Sequence, residues 1–574
     1  MPVLGRGQPN LDLSSQPLKR LFRAWICAVF AGAMLLASSG AWLCSEPAFA
    51  GSTLTRCAGN SGEGDDVILS DTAPPVTPGC TSVALPVDKT QVLATVPAPK
   101  ARLGAPEPET ITLTGARDAE TFRLREVSVA PVSLTAAPPY LVPGSDLRAV
   151  ASARTFGPLG RVAMASDGDQ ITLECEPGSD PAGLAFATAR VPPIPGMTLR
   201  VVHSADNVFR LIAADPAASA REPLPLAKLK PADGPTEAHL PLPTALPADT
   251  PLDLKLLCPA AGGHLQLSEI VLEAKTAAPT ARATWIAKAG LWQDDSARVF
   301  ARAQRWELTR LYIAIPMDEH GPTQPQALAG FLAEANSRGI EVWALLSEGE
   351  TEGSATARAQ ALADYNLAVP APAQIKGAAV EYPADRRWNY APDPGLLARH
   401  FLDRISGLKA ALGMPIEAIV PAWFPTDATF AERYAATLDG LTVLTDRTDP
   451  DMIRKAVTRF LAWGTRRGKP VQVALETGPA SALERASFAR AESGELWLIP
   501  VGGERVLVLL KEAAGDLPGT GFEQQESAEL PAESRSFGGH RAELRQSLEP
   551  LGRTLGAWPS FTGFAYHDLF DQTK

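Results

Sequence analysis

The stretch 310–346, RLYIAIPMDEHGPTQPQALAGFLAEANSRGIEVWALL, decides the fold. It opens on an apolar run of strand length, Arg310–Met317. A segment of helix length follows, 325–338. Gly339 sits just past it, where a helix C-terminus favours a residue free to adopt the left-handed conformation. A second apolar run, Ile340–Leu346, comes next. This is one strand–helix–strand unit, and the same alternation continues on both sides of it.

Upstream, Thr284–Ala289 reads as a strand and 294–306 as a helix. Downstream, strands read at Ile375–Tyr382, Ile416–Trp423, Leu441–Leu444, Pro470–Leu475 and Thr562–His567. Helices read at 354–369, 393–412, 426–438, 449–467, 481–491 and 540–556. Within 393–412, Leu396, Leu397, Phe401, Ile405, Leu408 and Leu412 make one apolar stripe. Gly413 follows it as Gly339 follows the earlier helix. Eight alternations between 280 and 574 fit an α/β (β/α)8 barrel of the TIM type. Leu496–Val501 and Arg505–Leu510 read as a hairpin insert at 495–535, between the seventh strand and the last helix.

The pattern differs before Pro279. From 109 to 278 the chain is a series of short alternating segments, among them Thr110–Thr114, Phe122–Val129, Gln170–Cys175, Thr198–His203 and Leu252–Cys258. Many short strands with turn residues between them predict a jelly-roll-like all-β sandwich. The sandwich has no Trp and one Tyr, Tyr140. That composition suits a structural or docking module better than a sugar-stacking one. Residues 51–108 carry eight prolines between Asp71 and Glu109 and read as a Pro-rich arm or linker.

The first fifty residues read as an address. Lys19, Arg20 and Arg23 precede the apolar run Ala24–Ser38, and Ala48-Phe49-Ala50 ends the segment. A basic region, an apolar core and an A-x-A end make a secretory signal peptide cut after Ala50. If it is retained, residues 24–43 are just long enough to anchor the chain in the inner membrane. The expected location is therefore periplasmic or extracellular. Export also changes how the cysteines read. Cys57, Cys80, Cys175 and Cys258 remain in the mature chain and suggest two disulfides in an oxidising compartment. Cys57 with Cys80 would staple the arm. Cys175 and Cys258 each end an alternating apolar run and could meet in the sheet core.

Apolar residues are 45% and charged residues 20%, so a folded chain is expected throughout. The net charge of −11 gives no reason to expect nucleic acid as a partner. The dinucleotide, phosphate-loop, nucleophile-elbow and H-E-x-x-H motifs are absent, and neither a cofactor nor a metal is expected.

The C-terminal half resembles a secreted bacterial family of unassigned function with a glycoside-hydrolase-like barrel. The resemblance rests on Arg310-Leu311-Tyr312, the run Arg338–Leu345, the run Gly377–Pro383, Val473–Thr477 and Gly563–His567. It implies a barrel, and in such barrels chemistry sits at the C-terminal ends of the strands. The residues there are Trp292, Asp294, Glu348, Glu381, Asp446, Glu476, His567 and Asp568. Glu381 and Glu476 each close an almost wholly apolar run, on the fourth and seventh strands. In the largest retaining clan of barrel glycosidases those strands carry the acid/base and the nucleophile. By that analogy Glu381 is the acid/base and Glu476 the nucleophile. Val380 stands where the clan usually has Asn. Nine of eleven Trp lie between 285 and 558, and Trp292, Trp388 and Trp423 follow strand ends, as sugar-stacking platforms would. Asp294, Glu348, Asp446, His567 and Asp568 are expected to bind substrate. The alternative is a catalytically silent barrel that binds polysaccharide or a protein partner in a surface or export assembly. In that case each Glu would be held by an ion pair, with Arg386, Arg387 and Arg447 available.

Overall fold

The computed structural model describes residues 52–57, 67–70, 80–85, 90–97 and 109–570, apart from 118–120, 131–138, 145, 151–152, 168–169, 216–222, 244–249, 319, 347–351, 383–393, 425–427 and 502–503. Residues 1–50, read above as a signal peptide, therefore lie outside the described residues.

Eight parallel strands close into a barrel: Ala281–Ile286, Arg310–Ala314, Glu341–Leu346, Gly377–Glu381, Ile416–Pro421, Gly440–Thr445, Val471–Glu476 and Phe561–His567. Helices occupy the connections, including Ser296–Arg305, Pro325–Ser337, Glu352–Ala368, Pro394–Leu412, Ala428–Thr437, Pro450–Arg467 and Arg541–Leu555. Parallel strands covered on both faces read as near-continuous apolar runs, which is why they were visible in the sequence. Alternate residues point into the lumen. Ala283, Trp285, Tyr312, Trp343, Ala379, Ile419, Ala474 and Ala565 form one cluster there. Their neighbours Ile286, Leu311, Val342, Val380 and Val473 belong to the core on the other face. Gly339 and Gly413 have φ of 71° and 62°, the left-handed geometry that closes the helices before them.

Two five-stranded antiparallel sheets precede the barrel, built from strands between Arg154 and Glu273. They enclose Leu173, Phe186, Leu199, Val201, Phe209, Leu256 and Leu267. Cys175 lies in one sheet and Cys258 just past a strand of the other, and the two form a disulfide. Tyr140 packs edge-on against Trp558 of the barrel at 6.3 Å, so this aromatic joins two parts of the chain.

The third body differs from the sequence reading. The segment 481–491, expected as a helix, is the strand Leu483–Ala491. Its Ala and Arg residues favour helix, but neighbours on both sides override that preference. The insert is wider than one hairpin. Leu483–Ala491, Ser493–Val501, Glu504–Gly515 and Thr520–Leu530 are four strands of a seven-stranded antiparallel sheet. The other three strands come from far upstream. Thr90–Pro97, expected in the arm, pairs with Glu504–Gly515. Thr110–Arg117 and Phe122–Ala130, expected in the sandwich, instead pair with each other and, through Thr110–Arg117, with Leu483–Ala491, so these two upstream strands complete the insert. The side-chain amide of Gln91, on one edge strand, donates to the Phe122 carbonyl and accepts from its N–H, both at 2.7 Å. The curled sheet encloses Leu93, Ile111, Leu113, Phe122, Phe488 and Phe522.

The rest of the arm is also paired. Ser52–Cys57, Val67–Ser70 and Cys80–Leu85 form a three-stranded sheet. Leu54 packs with Trp497, Ile499, Val506 and Val508 on the second face of the larger sheet. The register sets Cys57 opposite Cys80, while their side chains lie outside the described residues. Among the described residues no helix is long and apolar enough to cross a membrane.

Candidate active site

The lumen face of each strand carries every second residue. In the fourth strand that series runs Gly377, Ala379, Glu381. In the seventh it runs Gln472, Ala474, Glu476, and in the eighth Gly563, Ala565, His567. Glu381, Glu476 and His567 therefore end their strands at the same mouth of the barrel. Glu476 lies directly opposite His567 in the parallel ladder.

His567 Nδ1 is 2.8 Å from Glu476 Oε2 and 3.6 Å from Asp568 Oδ2. The Gly478 N–H donates to Glu476 Oε1 at 2.9 Å. Trp285, from the first strand, meets the imidazole edge-on at 5.2 Å. Asp568 has φ of 55°, an uncommon backbone conformation for a non-glycine residue. A side chain at Gly478 would lie 2.6 Å from Asp568 Cβ, so glycine is what allows the two loops to touch.

Burial acts to discharge His567. The hydrogen bond and charge of Glu476, with the charges of Asp568 and Glu381, outweigh it and raise the imidazole to about 9. The ring is thus cationic at neutral pH. Glu476, His567 and Asp568 also bring potential metal-binding atoms within 4.8 Å of one another.

The other expected residues divide into several groups. Trp423 is half-buried past the fifth strand, edge-on to Tyr382 at 5.6 Å, beside the strand that carries Glu381. Asp446 follows the sixth strand. Its carboxylate is 2.9 Å from Arg447 and 3.6 Å from the buried Arg535. Arg447, offered above as a partner for the catalytic carboxylates, is thus engaged by Asp446. Trp292 does not reach the mouth. It is buried against Phe331, and its indole N–H donates to the Ala314 carbonyl at 2.9 Å. Asp294 is exposed at the end of a short helix, Gly290–Asp294. Glu348, Trp388, Arg386 and Arg387 lie outside the described residues.

Sequence reading missed several participants. Trp285 sits inside an apolar run, and only its odd position in the alternation marks it as luminal. The return leg of the insert carried no signal. There the Phe537 N–H donates to the Glu476 carbonyl at 2.9 Å and Ser536 Oγ to the Gly478 carbonyl at 2.6 Å. Arg535 Nη1 donates to the Ser481 carbonyl at 2.7 Å. The seven-stranded sheet is therefore rooted beside Glu476.

A second polar group was also missed. At the opposite end of the lumen Glu417 is 4% exposed. It accepts from the Tyr312 hydroxyl, from Arg310 Nη1 at 3.1 Å and from Thr442 Oγ1 at 3.2 Å. Burial pushes Glu417 up and Tyr312 up. This network is at the N-terminal end, where barrels hold stability rather than chemistry. A groove of about 640 Å³ near that end is lined by Arg282, Trp306, Arg545, Arg553 and Tyr566, and contains none of the mouth residues.

No family model and no curated protein matches the chain. Among solved structures, family 29 carbohydrate-binding modules are similar to part of it. A variant module is 14% identical, over 21% of this chain and 74% of that one, at a TM-score of 0.17. Variants complexed with cellulohexaose and with mannohexaose are each 13% identical, over 21% of this chain and 78% and 79% of theirs, again at 0.17. At that TM-score the likeness carries no argument about what this chain binds.

Proposed function

We propose that this is an exported protein whose C-terminal domain is a glycoside-hydrolase-like (β/α)8 barrel, acting on an envelope or extracellular polysaccharide. One observation carries the reading: Glu381, Glu476 and His567 end three luminal strands at a single mouth, where Glu476 and His567 meet at 2.8 Å. Retaining hydrolysis needs one carboxyl that gives a proton and one that is ionised. Glu476, with donors on both oxygens, suits the ionised role. It would attack the anomeric carbon while Glu381 protonates the departing glycosidic oxygen. Glu381, then ionised, would take a proton from water, and the water would release the sugar from Glu476. Trp423 would supply a stacking face beside Glu381.

The silent-barrel reading draws on Val380, which stands where the clan's Asn would hold the sugar 2-hydroxyl. The test is to incubate the full chain with a panel of bacterial and plant polysaccharides. New reducing ends are expected from at least one of them. Binding without new ends would favour the silent barrel, and neither binding nor release would refute both.

A further inference from the structure

Glu476 and His567 are fixed to each other at two levels. Their strands are hydrogen-bonded neighbours with the two residues in register. Just beyond, the Thr477 N–H and Oγ1 both donate to the His567 carbonyl, at 3.1 and 2.6 Å. On that base the imidazole meets Glu476 Oε2 at 2.8 Å, and Trp285 braces the ring from the first strand. The Gly478 N–H holds the other carboxylate oxygen. Neither side chain is free to turn. The remaining ring nitrogen, Nε2, has no hydrogen-bond partner among the described residues.

The charged groups facing the ring are Glu476, Asp568 and Glu381, and the first strand presents the neutral Trp285. The carboxylates of Glu476 and Asp568, joined by Glu381 once it is ionised, favour the doubly protonated ring over the desolvation that opposes it. A doubly protonated imidazole donates from both nitrogens and accepts at neither. One donor is committed to Glu476, and the other is uncommitted among the described residues, on a side chain that ends its strand at the mouth.

We propose that His567 is a positioning residue for Glu476, holding its carboxylate charged and in a fixed direction, and that Nε2–H is the donor that meets a ligand oxygen. The proposal deepens the polysaccharide reading and rests on it. It also narrows the ligand chemistry: the atom facing Nε2 is an acceptor, such as a sugar hydroxyl or carboxylate oxygen, and not a cationic amine.

The test needs no ligand. The full chain is labelled with 15N-histidine and titrated by NMR. His567 is assigned by the signal missing in His567→Gln. The expected result is a ring that stays doubly protonated through neutral pH and titrates near 9. In Glu476→Gln that titration should fall by roughly one unit or more, because an opposite charge at hydrogen-bond distance shifts a pKa by about 1–3 units. Asp568→Asn, which leaves the short hydrogen bond in place, should move it less. If Glu476→Gln does not fold, the wild-type value and Asp568→Asn still decide. A wild-type ring titrating at about 6.5, the unperturbed value, would overturn the proposal. So would indifference to Glu476→Gln. A raised, Glu476-dependent titration in a protein that binds no polysaccharide would sustain the ion pair while the sugar reading failed. Polysaccharide cleavage with an unperturbed His567 would do the reverse.

Discussion

Glu417 and Glu476 are both luminal glutamates, but they hold the barrel in different ways. Glu417 is sealed in and serves Arg310, Tyr312 and Thr442. Removing it leaves the Tyr312 and Thr442 hydroxyls without that acceptor, while Arg310 keeps its pairing to Glu341 at 2.9 Å. Glu417→Ala is expected to cost about 1–3 kcal/mol in denaturant unfolding at pH 7. Glu476 has a conditional partner. The raised pKa of His567, from 6.5 to about 9, corresponds to about 3 kcal/mol of stability. The sign follows from the proton: the folded state holds it more tightly, so this stability is complete below pH 6.5 and lost as pH rises through 9. Glu476→Gln should therefore unfold more easily than wild type at pH 6 and about equally at pH 10. A gap that persisted at pH 10 would show that the carboxylate stabilises by some other contact. Glu381, Glu476 and His567 were legible in the sequence because an apolar run ends abruptly on each. Trp292 was misread because a five-residue helix turns its ring back under the second strand, and no periodicity records such a turn.

At the scale of elements, the barrel and the seven-stranded sheet differ in how local their instructions are. Each barrel strand is announced by its own residues, since burial on both faces demands a continuous apolar run. The sheet's strands depend on partners hundreds of residues away, as Leu113 opposite Ala486 and Ala94 opposite Leu507 show. Pro-rich spacing around Thr90–Pro97 resembled a linker because half of each strand's identity lay elsewhere. Gln91 makes the same point. As a lone Gln it carries no signal, yet it joins the two edge strands through the Phe122 backbone. Gln91→Ala leaves a backbone donor and acceptor without that partner, and a loss of about 1–3 kcal/mol is expected in equilibrium unfolding. No change in stability would mean that the packing of Phe122, Phe488 and Phe522 closes the sheet unaided.

At the scale of the molecule, the chain places its second sheet next to its candidate chemistry. The insert leaves the barrel after Glu476 and returns through Ser536 and Phe537, which bond the same strand end. Strands from 90–130 complete that sheet, so the N-terminal and C-terminal parts of the chain are built into one another. The sandwich, tied by Cys175–Cys258 and seated through Tyr140, adds a further wall of the fold. The central claim is that the mouth holding Glu381, Glu476 and His567 works on a polysaccharide. It is tested most directly by the rate of reducing-end release, from whichever polysaccharide responds, by wild type, Glu381→Gln and Glu476→Gln at one pH. The expected result is a loss of roughly 10²–10⁴ in each variant, with the melting temperature of Glu381→Gln unchanged. Release by both variants at the wild-type rate would contradict the claim.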